Sequence, residues 1–105
     1  MNNLDVTDNT AAPAPALTLG SRPNPFNPAT TINYSVPQPG HVRLSVYNIR
    51  GQRVATLVND HLTAGEHSVQ WRGVDDSGRP VAGGVYLCRL SVGKQKETRK
   101  LLLLK

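Results

Sequence analysis

The sequence predicts an all-β fold, a seven-stranded antiparallel sandwich, on three observations. No stretch carries the 3.6-residue period of an amphipathic helix, whereas short segments with apolar residues at every second position recur along the chain. Clusters of turn-forming residues separate these segments, drawing on nine glycines and eight prolines. The apolar residues are mainly Val and Leu, with an aromatic share of only 5%, a mixture that suits the pleated, half-buried faces of strands. At 105 residues and 38% hydrophobic content there is room for one core and no second domain, and a deep enzymatic pocket is not expected.

Residues 1–16 are Asn, Asp, Thr, Ala and Pro with few large apolar groups, ending in Ala11-Ala12-Pro13-Ala14-Pro15-Ala16. Such a segment cannot offset the entropy of ordering and reads as a flexible interdomain linker, leaving 17–105 as the folded domain. Leu17-Thr18-Leu19 makes a first short strand, followed by the loop Arg22-Pro23-Asn24-Pro25-Phe26-Asn27-Pro28. Thr31 to Val36 places Ile32, Tyr34 and Val36 on one face, and Pro37-Gln38-Pro39-Gly40 turns the chain. Val42, Leu44 and Val46 form the inner face of the next strand, and Asn48-Ile49-Arg50-Gly51 suits a hairpin loop in which Gly51 supplies a positive φ. Arg53 to Val58 alternates less cleanly, as an edge or bulged strand does.

Gly65 opens a strand with His67, Val69 and Trp71 on one face, and Asp75-Asp76-Ser77-Gly78-Arg79 is a turn. Gly83 to Val92 aligns Tyr86, Cys88, Leu90 and Val92, and Glu97 to Leu104 is the last strand. Seven short strands at this spacing are the pattern of an Ig-like β-sandwich. Their shared phase predicts one core holding Tyr34, Leu44, Val46, Val69, Trp71, Tyr86, Cys88 and Leu90.

The chemistry-bearing residues give little sign of catalysis. His41, His61 and His67 fall in separate segments with no second ligand at metal spacing, so neither a metal nor another cofactor is expected. Asp75 and Asp76 lack the acidic ladder of a calcium loop, and Asp-Asp-Ser-Gly is an ordinary turn composition. The serines have no nucleophile-elbow sequence, and no strand face carries a carboxylate pair. The single Cys88 sits in an apolar strand pattern as a small hydrophobe. Asn33-Tyr34-Ser35 matches a glycosylation acceptor, but within a predicted strand. A sugar platform needs several outward rings, and the alternation turns only Tyr47 outward.

The formal charge of +5 admits an anionic partner, but the arginines are scattered and only Lys94-Gln95-Lys96 with Arg99-Lys100 clusters, so nucleic-acid binding is not expected. The longest apolar run, Leu101 to Leu104, is far too short to span a membrane. Met1-Asn2-Asn3-Leu4-Asp5-Val6 has neither the basic start nor the apolar stretch of a secretory signal. The chain is therefore expected to be either intracellular or a module cut from a longer precursor.

Five segments in order carry a resemblance. Asn24-Pro25-Phe26-Asn27-Pro28-Ala29-Thr30-Thr31-Ile32-Asn33-Tyr34 comes first, and Val42-Arg43-Leu44-Ser45-Val46-Tyr47-Asn48-Ile49-Arg50-Gly51 second. Ala64-Gly65-Glu66-His67-Ser68-Val69-Gln70-Trp71 and Gly78-Arg79-Pro80-Val81-Ala82-Gly83-Gly84-Val85-Tyr86 follow, and Lys100-Leu101-Leu102-Leu103-Leu104-Lys105 closes the chain. From about Leu19 onward the chain resembles the C-terminal sorting domain of proteins exported by the type IX (Por) secretion system, a group similar in turn to the Ig-like domain of the flagellar hook-capping protein. Two positions depart from the family: Asn48 stands where Asp is common and Gly83 where Ser is common.

Asn24, Pro25, Phe26, Asn27, Pro28, Gly51, Gly65, Trp71 and Gly78 read first as structural: stiff entry loop, turns and core. The resemblance assigns recognition to Gly84, Tyr86 and the terminal Lys100, Leu101, Leu102, Leu103, Leu104 and Lys105, where an accessible last strand would offer an edge. It implies a non-catalytic C-terminal module that directs a larger secreted protein, an extracellular hydrolase, through type IX secretion and attaches it to the outer cell surface after periplasmic transit. The implied partners are the secretion machinery, outer-membrane or cell-surface components and the parent's own domains, with the module itself a monomer. The rival readings are a hook-cap-like structural domain and a carbohydrate-binding appendage of a secreted glycosidase.

Overall fold

The computed structural model describes residues 16–105; the expected linker over 1–16 therefore lies, but for Ala16, outside the described residues. Seven strands follow one another with no helix between them: β1 Thr18–Arg22, β2 Thr30–Val36, β3 Gly40–Asn48, β4 Arg53–Leu62, β5 Gly65–Trp71, β6 Gly84–Val92 and β7 Gln95–Leu103. They form two antiparallel sheets, one ordered β1-β2-β5 and the other β4-β3-β6-β7, which face each other as an Ig-like sandwich. The first strand begins one residue later than expected and runs on to Arg22, and β7 spans Gln95–Leu103 where Glu97 to Leu104 was expected.

The period-2 pattern becomes the core directly, because alternate side chains of a strand leave on opposite faces. Ile32, Tyr34 and Val36 of β2 meet Val42, Leu44 and Val46 of β3 and Tyr86, Cys88, Leu90 and Val92 of β6. At one end three rings interlock, with Trp71 5.6 Å from Phe26 and 5.3 Å from Tyr86, the latter pair edge to face. The Trp71 indole N–H donates to the Val74 carbonyl at 2.9 Å, so its one polar atom is satisfied. Of the residues expected in the core, Val69 is the exception and only half-buried. It lies on β5, an edge strand of the smaller sheet, where the opposing layer covers less of the face.

Strand β4 is an edge strand with two register shifts, between Leu44 and Ser45 and between Val46 and Tyr47 of its partner, as its broken alternation implied. The hairpin before it closes on Asn48, whose Oδ1 accepts from the Arg50 and Gln52 amides while its Nδ2 donates to Gln52 Oε1 at 2.8 Å. An Asp would keep the first two bonds and lose the third. Gly51 has φ +83° with open space around its Cα, so the turn needs its conformational freedom alone.

Loops cover part of both free edges of the larger sheet, where unpaired strand groups would otherwise template association. On the β4 side, Asp76 N donates to Val54 O at 3.1 Å and Asp76 Oδ1 accepts from Thr56 N at 2.9 Å. Asp75 meanwhile accepts from the Ser77 and Arg79 amides through Oδ1. These two aspartates are thus engaged in holding a turn against an edge strand. The β7 side is covered differently and defines the site below.

Candidate functional site

The proline-rich loop between β1 and β2 is the partner of the terminal strand. Phe26 lies alongside Leu103 in a parallel bridge, its N–H donating to Leu102 O at 2.9 Å and its carbonyl accepting from Leu104 N at 2.9 Å. Asn24 completes the contact with its side-chain amide, Nδ2 donating to Lys100 O at 2.8 Å and Oδ1 accepting from Leu102 N at 3.0 Å. This is a clasp in which one side-chain carboxamide and the backbone N–H and C=O of one residue replace an eighth strand along the outer edge of β7. Asparagine suits the position because it alone, with Gln, offers a donor and an acceptor side by side. Prolines on either side of Asn24 restrict it to extended conformations and present it without a competing ladder.

The other side of β7 is held by β6 and the loop before it. Leu101 pairs with Tyr86 and Leu103 with Gly84. Tyr86 is buried and its hydroxyl donates to the Ala82 carbonyl at 2.5 Å, the arrangement of an Ig tyrosine corner. Lys105 reaches the Val81 carbonyl with its ammonium group. A Cβ on Gly83 would stand 3.2 Å from Leu103 O and 3.3 Å from Lys105 Cβ, so the departure from Ser lies where the backbone of the last strand passes close by. Gly73 plays the same part deeper in, where a Cβ would meet Leu103 Cδ2 at 3.1 Å.

The residues to which recognition was assigned are therefore brought together, but they divide into two kinds. Leu101, Leu103 and Tyr86 are interior and hold the strand in place. Lys100, Leu104 and Lys105 are exposed, and Leu102 is half-buried on the outer face opposite Val85. The expectation of an accessible terminal edge is corrected in the same way. From Lys100 onward the edge is taken by the clasp, and only the Gln95–Arg99 half, with its Glu97–Arg99 ion pair at 3.0 Å, lies open. The closeness of Asn24 to Lys100 has no local signature, since the two are 76 residues apart.

Elsewhere the fold places His41 directly opposite His61 across β3 and β4, a pairing of two separate segments that their sequence spacing does not show, with His41 Nε2 at 2.6 Å from Asn59 Oδ1. Among the described residues no three His, Cys, Asp or Glu side chains converge as metal ligands. Burial pushes the Cys88 thiol up to about 12, so it stays protonated and is not a nucleophile. No helix among the described residues is long and apolar enough to cross a membrane.

The family model for the FlgD Ig-like domain matches residues 27–96. The chain belongs to that family. The FlgD Ig-like assignment agrees with the two-sheet sandwich, and the family is one of structural modules. The solved FlgD of P. aeruginosa is 25% identical with a TM-score of 0.56, over 70% of this chain and 58% of that one. Dimeric latent PorU from Porphyromonas gingivalis is 14% identical with a TM-score of 0.65, over 85% of this chain but 9% of its own length. PorZ of the same organism, an essential bacterial surface component of the type IX secretion system, is 19% identical with a TM-score of 0.56, over 83% of this chain and 11% of its own. The last two likenesses show the fold alone. No curated protein matches the chain. Both halves of the clasp, Asn24–Phe26 and Lys100–Leu104, lie outside the stretch matched by the FlgD Ig-like model.

Proposed function

We propose that this FlgD Ig-like domain is a non-catalytic terminal module that carries a larger protein through type IX secretion and fixes it to the outer cell surface. The observation that carries this reading is the clasp. It joins the first and last of the sequence segments that resemble the sorting family into one joint. A sorting signal read only after folding needs its recognised residues fixed by the fold, and the clasp fixes Lys100, Leu102, Leu104 and Lys105 relative to the sandwich. The exposed side chains of Lys100, Leu104 and Lys105, with the half-buried Leu102 among them, then form a surface that exists only in the folded domain. The interior leucines beside them explain why the segment alternates between core and surface.

The test uses a secreted reporter carrying the domain at its C-terminus in a type IX-competent cell. Lys100 and Lys105 are replaced together by Ala, or a few polar residues are added after Lys105, and thermal melting confirms that each variant folds. The expected result is accumulation in the periplasm. Surface display at the normal level by folded variants refutes the reading and leaves the terminus a structural strand.

A second reading, a structural Ig domain of the hook-cap type, is favoured by the family match over 27–96. The parent gene separates the two: a secretory signal with a hydrolase upstream supports sorting, and a flagellar assembly segment supports the hook-cap role.

A further inference from the structure

The sequence scatters its arginines, but the register of the larger sheet gathers them on its outer face. Across β3, β6 and β7 one row reads Arg43, Ser91, Lys96, and Asn59 of β4 lies beside Arg43. The next row reads Thr56, Ser45, Arg89, Thr98, and the one after it Arg53, Tyr47, Leu87, Lys100. Five cations thus share a face whose three rows hold no carboxylate. Diagonal neighbours in a sheet lie within reach of long side chains, so Arg43, Arg89 and Lys96 repel one another unless an anion sits among them.

A cleft of about 170 Å³ opens between these three, floored by Ser45, Ser91 and Tyr47. That is several times the roughly 30 Å³ a single water occupies. Arg89 is held there by the Tyr47 ring, its guanidinium carbon 5.3 Å from the centroid. Arg43, Arg89 and Lys96 form no ion pair with any carboxylate among the described residues, whose one ion pair is Arg99–Glu97. Beneath them Ser45 is 1% exposed, and its hydroxyl is the one buried side-chain polar atom among the described residues without a hydrogen-bond partner. A buried hydroxyl left unpaired is unfavourable, and here it lines a cleft roofed by cations.

We propose that this face is a site for one tetrahedral oxyanion, a phosphate group. Arg89 and Arg43 supply the planar N–H forks, Lys96 the point charge, and Ser45 and Ser91 donate from the floor. The long side chains roofing Ser45 shift by a rotamer change to admit the ligand. The cleft that holds the anion is lined by no residue of the clasp, Lys100 standing at the rim of the same face, and the proposal does not rest on the sorting reading.

The experiment is an ¹⁵N NMR titration of the whole chain with inorganic phosphate at constant ionic strength, with chloride as the matched control. The expected result is a saturable, millimolar response confined to the amides of Ser45, Arg89, Ser91 and Lys96, which chloride does not reproduce. Arg89→Gln and Arg43→Gln each weaken it about tenfold, while Arg72→Gln, outside this face, leaves it unchanged. Ser45→Ala lowers affinity without lowering the melting temperature. Sedimentation with phosphatidic acid vesicles, against phosphatidylcholine alone, decides the source of the phosphate. Pelleting abolished by Arg89→Gln identifies a lipid headgroup, and phosphate shifts without pelleting identify the free ion or a small ester. An equal response to chloride, or affinity unchanged in both arginine variants, overturns the site. Ser45→Ala that lowers stability and leaves affinity intact overturns the role of its hydroxyl.

Discussion

Replacing Asn24 by Ala tests whether a single side chain holds the chain end. The substitution removes two hydrogen bonds, from Asn24 Nδ2 to Lys100 O and from Leu102 N to Asn24 Oδ1, and leaves Phe26 in place. A neutral hydrogen bond contributes about 1 kcal/mol net, and because Asn24 is exposed water partly replaces both, so the expected loss is about 1–2 kcal/mol. At about 1.4 kcal/mol per factor of ten, the Leu102 amide should exchange with solvent roughly 5- to 30-fold faster. Hydrogen exchange read by NMR, alongside urea denaturation, measures both quantities. Asn24→Asp separates the two bonds. Its carboxylate still accepts from Leu102 N but faces the Lys100 carbonyl without a donor, so stability falls while the Leu102 amide stays protected. Unchanged Leu102 exchange in Asn24→Ala would refute the reasoning and assign the edge to Phe26 alone.

Three further outcomes follow from the packing. Phe26→Ala empties a fully buried site against Trp71 and should cost about 3–5 kcal/mol, with Trp71 fluorescence shifting to the red. Gly83→Ala forces a methyl group to within 3.2 Å of Leu103 O, and is expected to cost about 1–3 kcal/mol and to move the amide resonances of Leu103, Leu104 and Lys105. The Cys88 thiol, raised by burial from 9.0 to about 12, makes stability fall as pH rises. Above about pH 9 the unfolded thiol ionises while the folded one does not, a loss of about 1.4 kcal/mol per pH unit up to the folded value. Urea midpoints between pH 8 and 10.5 should show this slope reduced in Cys88→Ala, leaving the contribution of Tyr34 and Tyr86, whose hydroxyls burial also raises.

The sandwich was legible because each strand writes its buried face into every second residue. Ile32, Tyr34 and Val36, or Tyr86, Cys88 and Leu90, need only local geometry to be placed. Turn glycines such as Gly51 and Gly78, with φ of +83° and +82°, were equally plain, because the demand on them is local. Contacts between segments distant in sequence had no such pattern. Asn24 announces a stiff loop but not its partner 76 residues away. Ser45 shows why alternation is incomplete: it places the residue on the outer face, yet neighbouring long side chains bury it there. The scattered arginines and the facing pair His41 and His61 meet only through strand order and register, which composition does not encode.

The clasp also bears on the order in which the molecule assembles. Hairpins such as β3–β4 and β6–β7 close over a few residues, whereas the bonds from Asn24 to Lys100 and Leu102 span 76 and 78 residues of chain. Long closures form slowly and late, because chain entropy is lost before the contacts reward it. The joint is in this sense a latch, shut after the rest of the sandwich interior has collapsed. Until it shuts, the outer-edge backbone groups of Lys100, Leu102 and Leu104 lack their partners, and the unfinished domain presents an edge on which another strand can pair. The kinetic signature expected is φ-values near zero at Asn24 and Phe26 against higher values within β3 and β6; high values at these loop residues would place the latch in the folding nucleus instead.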